Sequence, residues 1–222
     1  NSIALVGGEE FRPGCEDLDM SILAAANHER SRLFVLPTAA ANENPAMAAA
    51  NGVRYFTELG ADASPLMVLD RSDAEDATMV AELGTADVIY LTGGNPAHLL
   101  HILRGSALLH AVTSILERGA VLAGSSAGAM VLGAWMNFGG WRAALGVAGS
   151  IAMLPHHECT NPDAMAVNLA DAPPKLEAIV GVDSRTGCLS TSSGWTVLGA
   201  GQVTVYQGGV LRRYGAGESF VL

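Results

Sequence analysis

Uninterrupted apolar segments alternate with amphipathic ones along the first 126 residues of the chain. The apolar segments are short, are rich in β-branched residues and leucine, and each precedes a stretch with helical character: 2–8, 32–39, 65–70, 86–94 and 119–126. Strands that are apolar on both faces occur in parallel sheets that helices cover on both sides. The sequence therefore predicts an α/β fold, a three-layer α/β/α sandwich with a mostly parallel central sheet.

The pattern changes beyond residue 145. From residue 179 onward, short strand-like runs follow one another with glycine-rich turns between them, which predicts C-terminal β-hairpins at one edge of the sheet. No repeat, linker or low-complexity tract interrupts the chain, and a length of 222 residues suits one large domain. We therefore expect a single domain over residues 1–222.

Composition and charge exclude several classes of protein. No apolar run approaches the roughly 20 residues of a membrane span, although half of the residues are apolar. A formal net charge of −10 and scattered basic residues disfavour nucleic acid and anionic membranes as partners. The three cysteines have neither metal-site nor disulfide-framework spacing: Cys15, Cys159 and Cys188. These features predict a soluble cytoplasmic protein.

The fifth apolar run ends in two serines between glycines. Gly124-Ser125-Ser126-Ala127-Gly128 matches the pattern GxSxG with Ser126 at its centre, after a predicted strand and before a predicted helix. Such glycines allow a sharp strand-to-helix turn that exposes a nucleophilic serine in a strained backbone conformation. The structural alternative is a serine helix cap with glycines for packing. The context favours Ser126 as a nucleophile, with Ser125 pointing away.

A serine nucleophile needs a base, and only two histidines follow Ser126 in the chain. His156 and His157 stand at the end of a strand-like run. An adjacent pair can also bind a metal, but no cluster of further ligands accompanies it, so no metal site is predicted. No Asp or Glu lies between Ser126 and His156. This order argues against an α/β-hydrolase, in which the acid follows the nucleophile and precedes the histidine.

The chain resembles the peptidase E and cyanophycinase serine peptidases, which have a class I glutamine amidotransferase-like, flavodoxin-like fold. The stretches that carry the resemblance are LVGGEEF, YLTGGNPAHLL, AGSSAGAM and LPHHECTN. The resemblance implies that Ser126 is the nucleophile. It also implies that His156 is the base, because Pro155 precedes it as in the PHF/PHY-like motif of the family.

The resemblance also assigns the groups that bind substrate. Gly93, Gly94 and Asn95 match the loop that binds substrate in the family. The backbone N–H groups of Gly94 and Ala127 would stabilise the oxyanion.

The chain departs from the family in the acid and in its arginines. Family members place an acidic residue between the serine and the histidine, and this interval has none here. Glu158, two residues after His156, is the first candidate for the third member, because that spacing returns to the same face of an extended segment. Asp183 is the second candidate, a site without a carboxylate partner stays open, and Asn137 could orient an imidazole without a charge. No arginine lies between His156 and Arg185, so the resemblance does not extend to the aspartyl preference of peptidase E.

We therefore expect a serine-type hydrolase, an exopeptidase or dipeptidase that cleaves small peptides without a cofactor. The expected partners are a small peptide substrate and, at most, a second copy of the chain in a homodimer. Two alternatives stay open. One is a catalytically weak or inactive small-molecule-binding protein on the same scaffold, which the missing acid would favour. The other is an esterase or amidase, which differs only in the leaving group.

Overall fold

A computed structural model describes residues 2–222 of the chain. Within these residues helices and strands alternate, and strands dominate the C-terminal third. In chain order the elements are β1 (Ser2–Val6), α1 (Glu16–Ala25), β2 (Arg32–Leu36), α2 (Pro45–Glu58), β3 (Asp62–Pro65), α3 (Arg71–Glu75), α4 (Ala77–Leu83), β4 (Val88–Leu91), α5 (Pro96–Leu103), α6 (Ala107–Glu117), β5 (Val121–Ser125), α7 (Ala127–Met130), β6 (Trp135–Asn137), β7 (Trp141–Ala143), β8 (Ile151–Leu154), α8 (Pro162–Ala170), β9 (Ala178–Val182), β10 (Thr186–Thr191), β11 (Gly194–Gly199), β12 (Val203–Gln207), β13 (Val210–Tyr214) and β14 (Ser219–Phe220).

The central sheet is mostly parallel and has its antiparallel strands at one edge. Its strand order is β14-β11-β10-β1-β5-β4-β2-β3. The pairs β1–β5, β5–β4, β4–β2 and β2–β3 are parallel. On the other side of β1, the C-terminal strands β10, β11 and β14 pair in antiparallel fashion. This arrangement confirms the predicted parallel sheet and the predicted C-terminal hairpins at its edge.

The remaining C-terminal strands form a second sheet with the order β13-β12-β9-β8. In this sheet β8 runs parallel to β9, and the other pairs are antiparallel. Strands β6 and β7 form a separate hairpin. The second sheet matters for the site, because the segment after β8 carries His156 to the end of β1, where its N–H donates to Gly7 O at 2.9 Å.

Two apolar layers cover the faces of the central sheet. Successive side chains of a strand point to opposite faces, so each strand contributes to both layers. On one face the sheet packs against α1 and α2 through Val6, Leu18, Ile22, Leu33, Val35 and Phe56. On the other face it packs against α5 and α6 through Leu5, Phe34, Leu36, Leu99, Leu103 and Val112. The three-layer α/β/α sandwich is thereby confirmed.

The third apolar run differs from its prediction. Strand β3 pairs with β2 over Asp62–Pro65, upstream of most of the predicted run at 65–70. Leu66 and Val68 are buried, but they lie in irregular chain beyond the strand. Their apolar character reflects their burial against the core and not a strand conformation.

Within residues 2–222, no individual α-helix is long and apolar enough to cross a bilayer. The helices α5 and α6 reach the required length and composition only when taken together, and they are bent by 86° where they meet.

Candidate active site

Ser126 lies in the tight turn that connects β5 with α7. Its backbone angles are φ +48° and ψ −110°, and a positive φ is uncommon for a residue with a side chain. Its N–H donates to Val6 O on β1, and its carbonyl accepts from Met130 N–H in α7, both at 2.9 Å. The turn is therefore held by a strand and a helix at once, which maintains the strained conformation that the GxSxG pattern predicts.

The two glycines of the pattern permit a close approach of backbone to backbone. A Cβ on Gly124 would lie 2.5 Å from the carbonyl group of Gly128. A Cβ on Gly128 would lie 2.3 Å from Leu91 O at the end of β4. Neither distance leaves room for a side chain, so only glycine allows the helix to start directly against the strands.

Replacement of Gly128 by alanine tests this packing. We expect Gly128→Ala to lower the free energy of unfolding by about 1–3 kcal/mol or more, because the backbone of β4 must move to admit the methyl group. Urea unfolding of Gly215→Ala provides the control, because a Cβ at Gly215 meets its nearest atom, Glu218 Oε2, at an ordinary 3.5 Å. Equal stability of the Gly128→Ala variant and the unmodified protein would contradict the close packing.

Ser126 faces a cavity of about 690 Å³ at the carboxyl ends of β1 and β4. Side chains from the loop after β1 and from α2 form much of its wall, and His156 and the backbone of Gly93 and Gly94 complete it. In open parallel sheets this end of the strands is where ligands bind.

Gly93, Gly94 and Asn95, the predicted substrate-binding residues of the loop after β4, differ in their contacts. Gly93 N–H donates to Glu10 Oε1 at 2.8 Å. Gly94 has φ +138°, and a Cβ there would lie 2.3 Å from Ala39 O. The side-chain oxygen of Asn95 accepts from His98 N–H at 3.0 Å and so caps α5. Gly93 and Gly94 thus line the cavity, whereas the side chain of Asn95 is used by the helix.

Ala127 is the first residue of α7 and is buried directly behind Ser126. The N–H groups in the first turn of a helix have no acceptor within that helix. The predicted role of the Ala127 N–H as an oxyanion donor stays a prediction, as does that of Gly94.

The rings of the two adjacent histidines, His156 and His157, lie in different surroundings. His156 has φ +50°, and its ring packs over Gly8 so closely that a Cβ on Gly8 would lie 2.2 Å from Cε1. This ring lines the same cavity as Ser126. Within residues 2–222, no hydrogen bond joins the side chains of Ser126 and His156, and their roles as nucleophile and base stay predictions.

His157 points away from this cavity. Its Nε2 lies 2.9 Å from the hydroxyl of Tyr206, and its Nδ1 lies 3.2 Å from Thr160 Oγ1. Burial lowers the pKa of the His157 imidazole. The structure therefore brings His156, and not His157, together with Ser126.

Glu158 reaches His156 through the hydroxyl of Ser184. The Ser184 hydroxyl donates to Glu158 Oε1 at 2.5 Å, and Ser184 N–H donates to Glu158 Oε2 at 2.9 Å. His156 Nδ1 lies 2.9 Å from Ser184 Oγ. Because a hydroxyl has a single hydrogen, which here goes to Glu158, Nδ1 must be the donor to Ser184. In the neutral imidazole, the second ring nitrogen, Nε2, is then the acceptor that a general base needs.

The carboxylate of Glu158 is held in its ionised form. Burial alone would raise the pKa of Glu158, but the hydrogen bonds from the Ser184 hydroxyl and N–H outweigh it, and the pKa lies below its ordinary value. The side chains of the other two candidate partners of His156 form hydrogen bonds elsewhere. Asp183 Oδ2 accepts from Gln202 N–H at 2.9 Å, and Asn137 donates to Asn168 at 2.8 Å.

Sequence reasoning missed two polar residues of this site. Ser184 follows Asp183 directly, and no motif distinguishes it from other serines. Glu10 lies within LVGGEEF, which marked the end of β1 without assigning a role to either glutamate. Its carboxylate accepts from Gly93 N–H and, at 2.8 Å, from the hydroxyl of Ser125. Ser125 is fully buried and points away from the turn that displays Ser126.

Two examples among the solved structures that resemble this chain cover nearly its whole length. A peptidase from an acI-B1 Actinobacterium is 26% identical, with a TM-score of 0.89 over 100% of this chain and 97% of that one. A putative peptidase E from Listeria monocytogenes EGD-e shares the fold, with a TM-score of 0.61 at 15% identity over 97% of this chain and 98% of that one.

Sequence comparison adds relatives named cyanophycinase. A cyanophycinase from Nostoc sp. (strain PCC 7120) is 25% identical over 219 residues, which are 92% of this chain and 72% of that protein. A cyanophycinase from Synechococcus elongatus is 32% identical over 166 residues, 68% of this chain and 51% of that protein. The sequence model of peptidase family S51 matches residues 3–144. With well over half of its length matched, the chain belongs to peptidase family S51 and is a serine-type peptidase.

Proposed function

We propose that this peptidase is an exopeptidase or dipeptidase that hydrolyses small peptides, with Ser126 as the nucleophile and His156 as the base. The observation that carries the proposal is the hydrogen-bonded series His156–Ser184–Glu158, which ends in the same cavity as the strained turn at Ser126. The series supplies the acid that is missing between the serine and the histidine in the sequence. It therefore argues against an inactive binding protein on the same scaffold.

The proposed reaction follows from this geometry. Ser126 Oγ attacks the scissile carbonyl carbon while His156 Nε2 accepts the hydroxyl proton. The oxyanion that forms would accept hydrogen bonds from the N–H groups of Gly94 and Ala127. Glu158 stabilises the imidazolium through the Ser184 hydroxyl. His156 then donates its proton to the leaving amine, and water hydrolyses the acyl-enzyme by the same steps.

The cavity favours short peptides with a free terminus. Besides the residues of the reaction, its wall includes Arg12 and Arg54. Within residues 2–222, neither guanidinium forms a salt bridge with a carboxylate. Guanidinium groups bind carboxylates in bidentate fashion, so both can receive the terminal or side-chain carboxylate of a small peptide. The relatives named cyanophycinase make cyanophycin a further substrate to test.

A substrate panel tests the proposal. Purified protein is incubated with free dipeptides, their N-acetyl and C-amide forms, an internal decapeptide, cyanophycin and p-nitrophenyl acetate. We expect Ser126-dependent release of amino acids from free dipeptides, faster than cleavage of the decapeptide. Hydrolysis of the ester alone would favour the esterase alternative. Labelling of Ser126 by a fluorophosphonate without any hydrolysis would contradict the proposed activity on small peptides.

The cysteines support a reducing compartment, and we propose the cytoplasm. All three are free, and Cys15 and Cys188 are buried while Cys159 is exposed. Burial raises the pKa of the Cys15 thiol to about 11, which keeps it in the unreactive thiol form.

The hydrogen bonds that connect His156 through Ser184 to Glu158 can be tested separately. We expect Ser184→Ala to lower kcat at least about tenfold with little change in KM, because loss of the hydroxyl removes both the tautomer control and the link to the carboxylate. We expect Glu158→Gln to lower kcat by a similar factor. Asp183→Asn provides the matched control, since Asp183 bonds to Gln202 instead. Steady-state kinetics that showed Asp183→Asn to be as impaired as Ser184→Ala would contradict the assignment.

A further inference from the structure

Glu10 is a charged group beside the reaction centre that the proposed mechanism does not use. It lies in the loop after β1, where both of its neighbours have left-handed backbone, with φ +60° at Glu9 and φ +61° at Phe11. The ring of Phe11 anchors this strained loop, because its centroid lies 5.3–5.8 Å from those of Tyr55, Phe56 and Tyr90. Strain that is held in this way occurs where a side chain must be aimed at a functional site. Here the loop aims the Glu10 carboxylate into the cavity of Ser126.

The Glu10 carboxylate and the side chain of Ser126 both lie close to Gly93. The Cβ position on Gly93 is 3.0 Å from Glu10 Oε1 and 3.5 Å from Ser126 Cβ. Each carboxylate oxygen accepts one hydrogen bond, from Gly93 N–H and from the Ser125 hydroxyl. An ionised carboxylate has about four acceptor positions, so a ligand in the cavity can still bind to it. Within residues 2–222, no basic side chain forms a salt bridge with Glu10.

A carboxylate at this place favours a cationic ligand. Its negative charge opposes the oxyanion that forms at the scissile carbonyl, unless a positive charge of the substrate neutralises it. In a peptide with a free N-terminus, the α-ammonium nitrogen lies about 2.5 Å from the carbonyl carbon of the same residue. Charge-assisted hydrogen bonds span about 2.7–2.9 Å. A first residue whose carbonyl lies at Ser126 Oγ therefore has its ammonium group within reach of Glu10.

We propose that Glu10 binds the free α-ammonium group of the substrate, so that the enzyme cleaves the first peptide bond of unblocked peptides. This inference rests on the proposed function and deepens it, because it assigns the direction of the exopeptidase. It also makes Glu10 a specificity residue that disfavours N-acylated substrates. The neutral amide of such a substrate does not neutralise the carboxylate, so the negative charge stays next to the developing oxyanion.

A structural role is the rival explanation, since Glu10 also bridges the loop of Gly93 to Ser125. Glu10→Gln distinguishes the two roles. The amide keeps the shape of the side chain and an oxygen that can accept from Gly93 N–H. It removes the charge, and its NH2 group can donate to the Ser125 hydroxyl, which donated to the carboxylate before. The matched control is Glu9→Gln, because Glu9 is adjacent in the chain, lines the same cavity and is exposed. Thermal unfolding confirms that both variants are folded.

The first measurement is binding without turnover. In a Ser126→Ala background, calorimetry compares the dipeptides Ala-Leu, Asp-Leu and Arg-Leu with their N-acetyl forms. We expect Glu10→Gln to weaken the binding of the tightest free dipeptide at least about tenfold, the scale for loss of a hydrogen bond between charged groups. Binding of its N-acetyl form should change less than about twofold, and Glu9→Gln should change neither. Equal losses for both forms, no loss for either, or no binding of any free dipeptide would overturn the inference.

The second measurement uses the enzyme with its serine intact. We expect Glu10→Gln to raise KM for free dipeptides, and kcat/KM for the N-acetyl forms to stay constant or to increase. A parallel decrease for both substrate classes would make Glu10 a structural bridge and overturn the inference. If the unmodified protein shows no Ser126-dependent hydrolysis, the proposed function fails. The calorimetric comparison then still decides whether Glu10 recognises an ammonium group.

Discussion

Replacing Ser126 with alanine is expected to lower peptide hydrolysis about 10³-fold or more, the usual scale for loss of a triad nucleophile. The reason is chemical, since no acyl-enzyme can form without Oγ. The fold should not change, because alanine and serine experience the same strain at φ +48° and the backbone bonds of Ser126 to β1 and α7 do not involve the hydroxyl. Initial rates on the best substrate of the panel, together with the melting temperature, measure both effects.

Ser125→Ala is the control for this experiment. The two serines are adjacent, but Ser125 is buried and its hydroxyl donates to Glu10, so it cannot reach a substrate carbonyl. We expect a loss of activity below about tenfold, caused by a less well fixed Glu10 carboxylate. Equal losses in the two variants, or a loss in Ser125→Ala alone, would contradict the assignment of Ser126 as the nucleophile.

Much of the fold could be predicted from the sequence, because local patterns report on local environment. Apolar runs such as those at β4 and β5 are buried on both faces, and they predict central parallel strands. The same reasoning was wrong for residues 66–70, where Leu66 and Val68 are buried without belonging to a strand. The division of the C-terminal strands between two sheets depends on long-range pairing, such as β9 with β12 and β1 with β10, on which hairpin patterns carry no information.

The site could be predicted only in part, for a related reason. The turn at Ser126 is a local structure, and the glycines of its GxSxG motif predict the close backbone packing that the structure shows. The partners of His156 come from distant segments, and Ser184 carries no signal because any serine could hold that position. The sequence shows that no acid lies between Ser126 and His156, and it leaves Glu158, Asp183 or no carboxylate as the alternatives. The hydroxyl that connects the imidazole to Glu158 becomes visible only in the structure.

Replacement of His156 is expected to have an effect as large as that of Ser126. We expect His156→Asn to lower kcat about 10³-fold or more, because the hydroxyl of Ser126 then has no base to accept its proton. Asparagine is the appropriate substitute, since it tolerates the left-handed backbone that His156 adopts at φ +50°. The backbone N–H of residue 156 can then still donate to Gly7 O. Steady-state kinetics on a free dipeptide measures the loss, and circular dichroism confirms the fold.

His157→Asn completes the comparison and separates catalysis from stability. His157 bonds to Tyr206 and Thr160 outside the cavity, so its replacement should leave kcat within about threefold. The variant should lose about 1–3 kcal/mol of unfolding free energy, because the partly buried hydroxyl of Tyr206 loses its partner. The two variants thus have opposite phenotypes: His156→Asn is inactive and stable, and His157→Asn is active and less stable. If His157→Asn were inactive and His156→Asn active, the base would be His157, and the series through Ser184 to Glu158 would serve only to fix the loop.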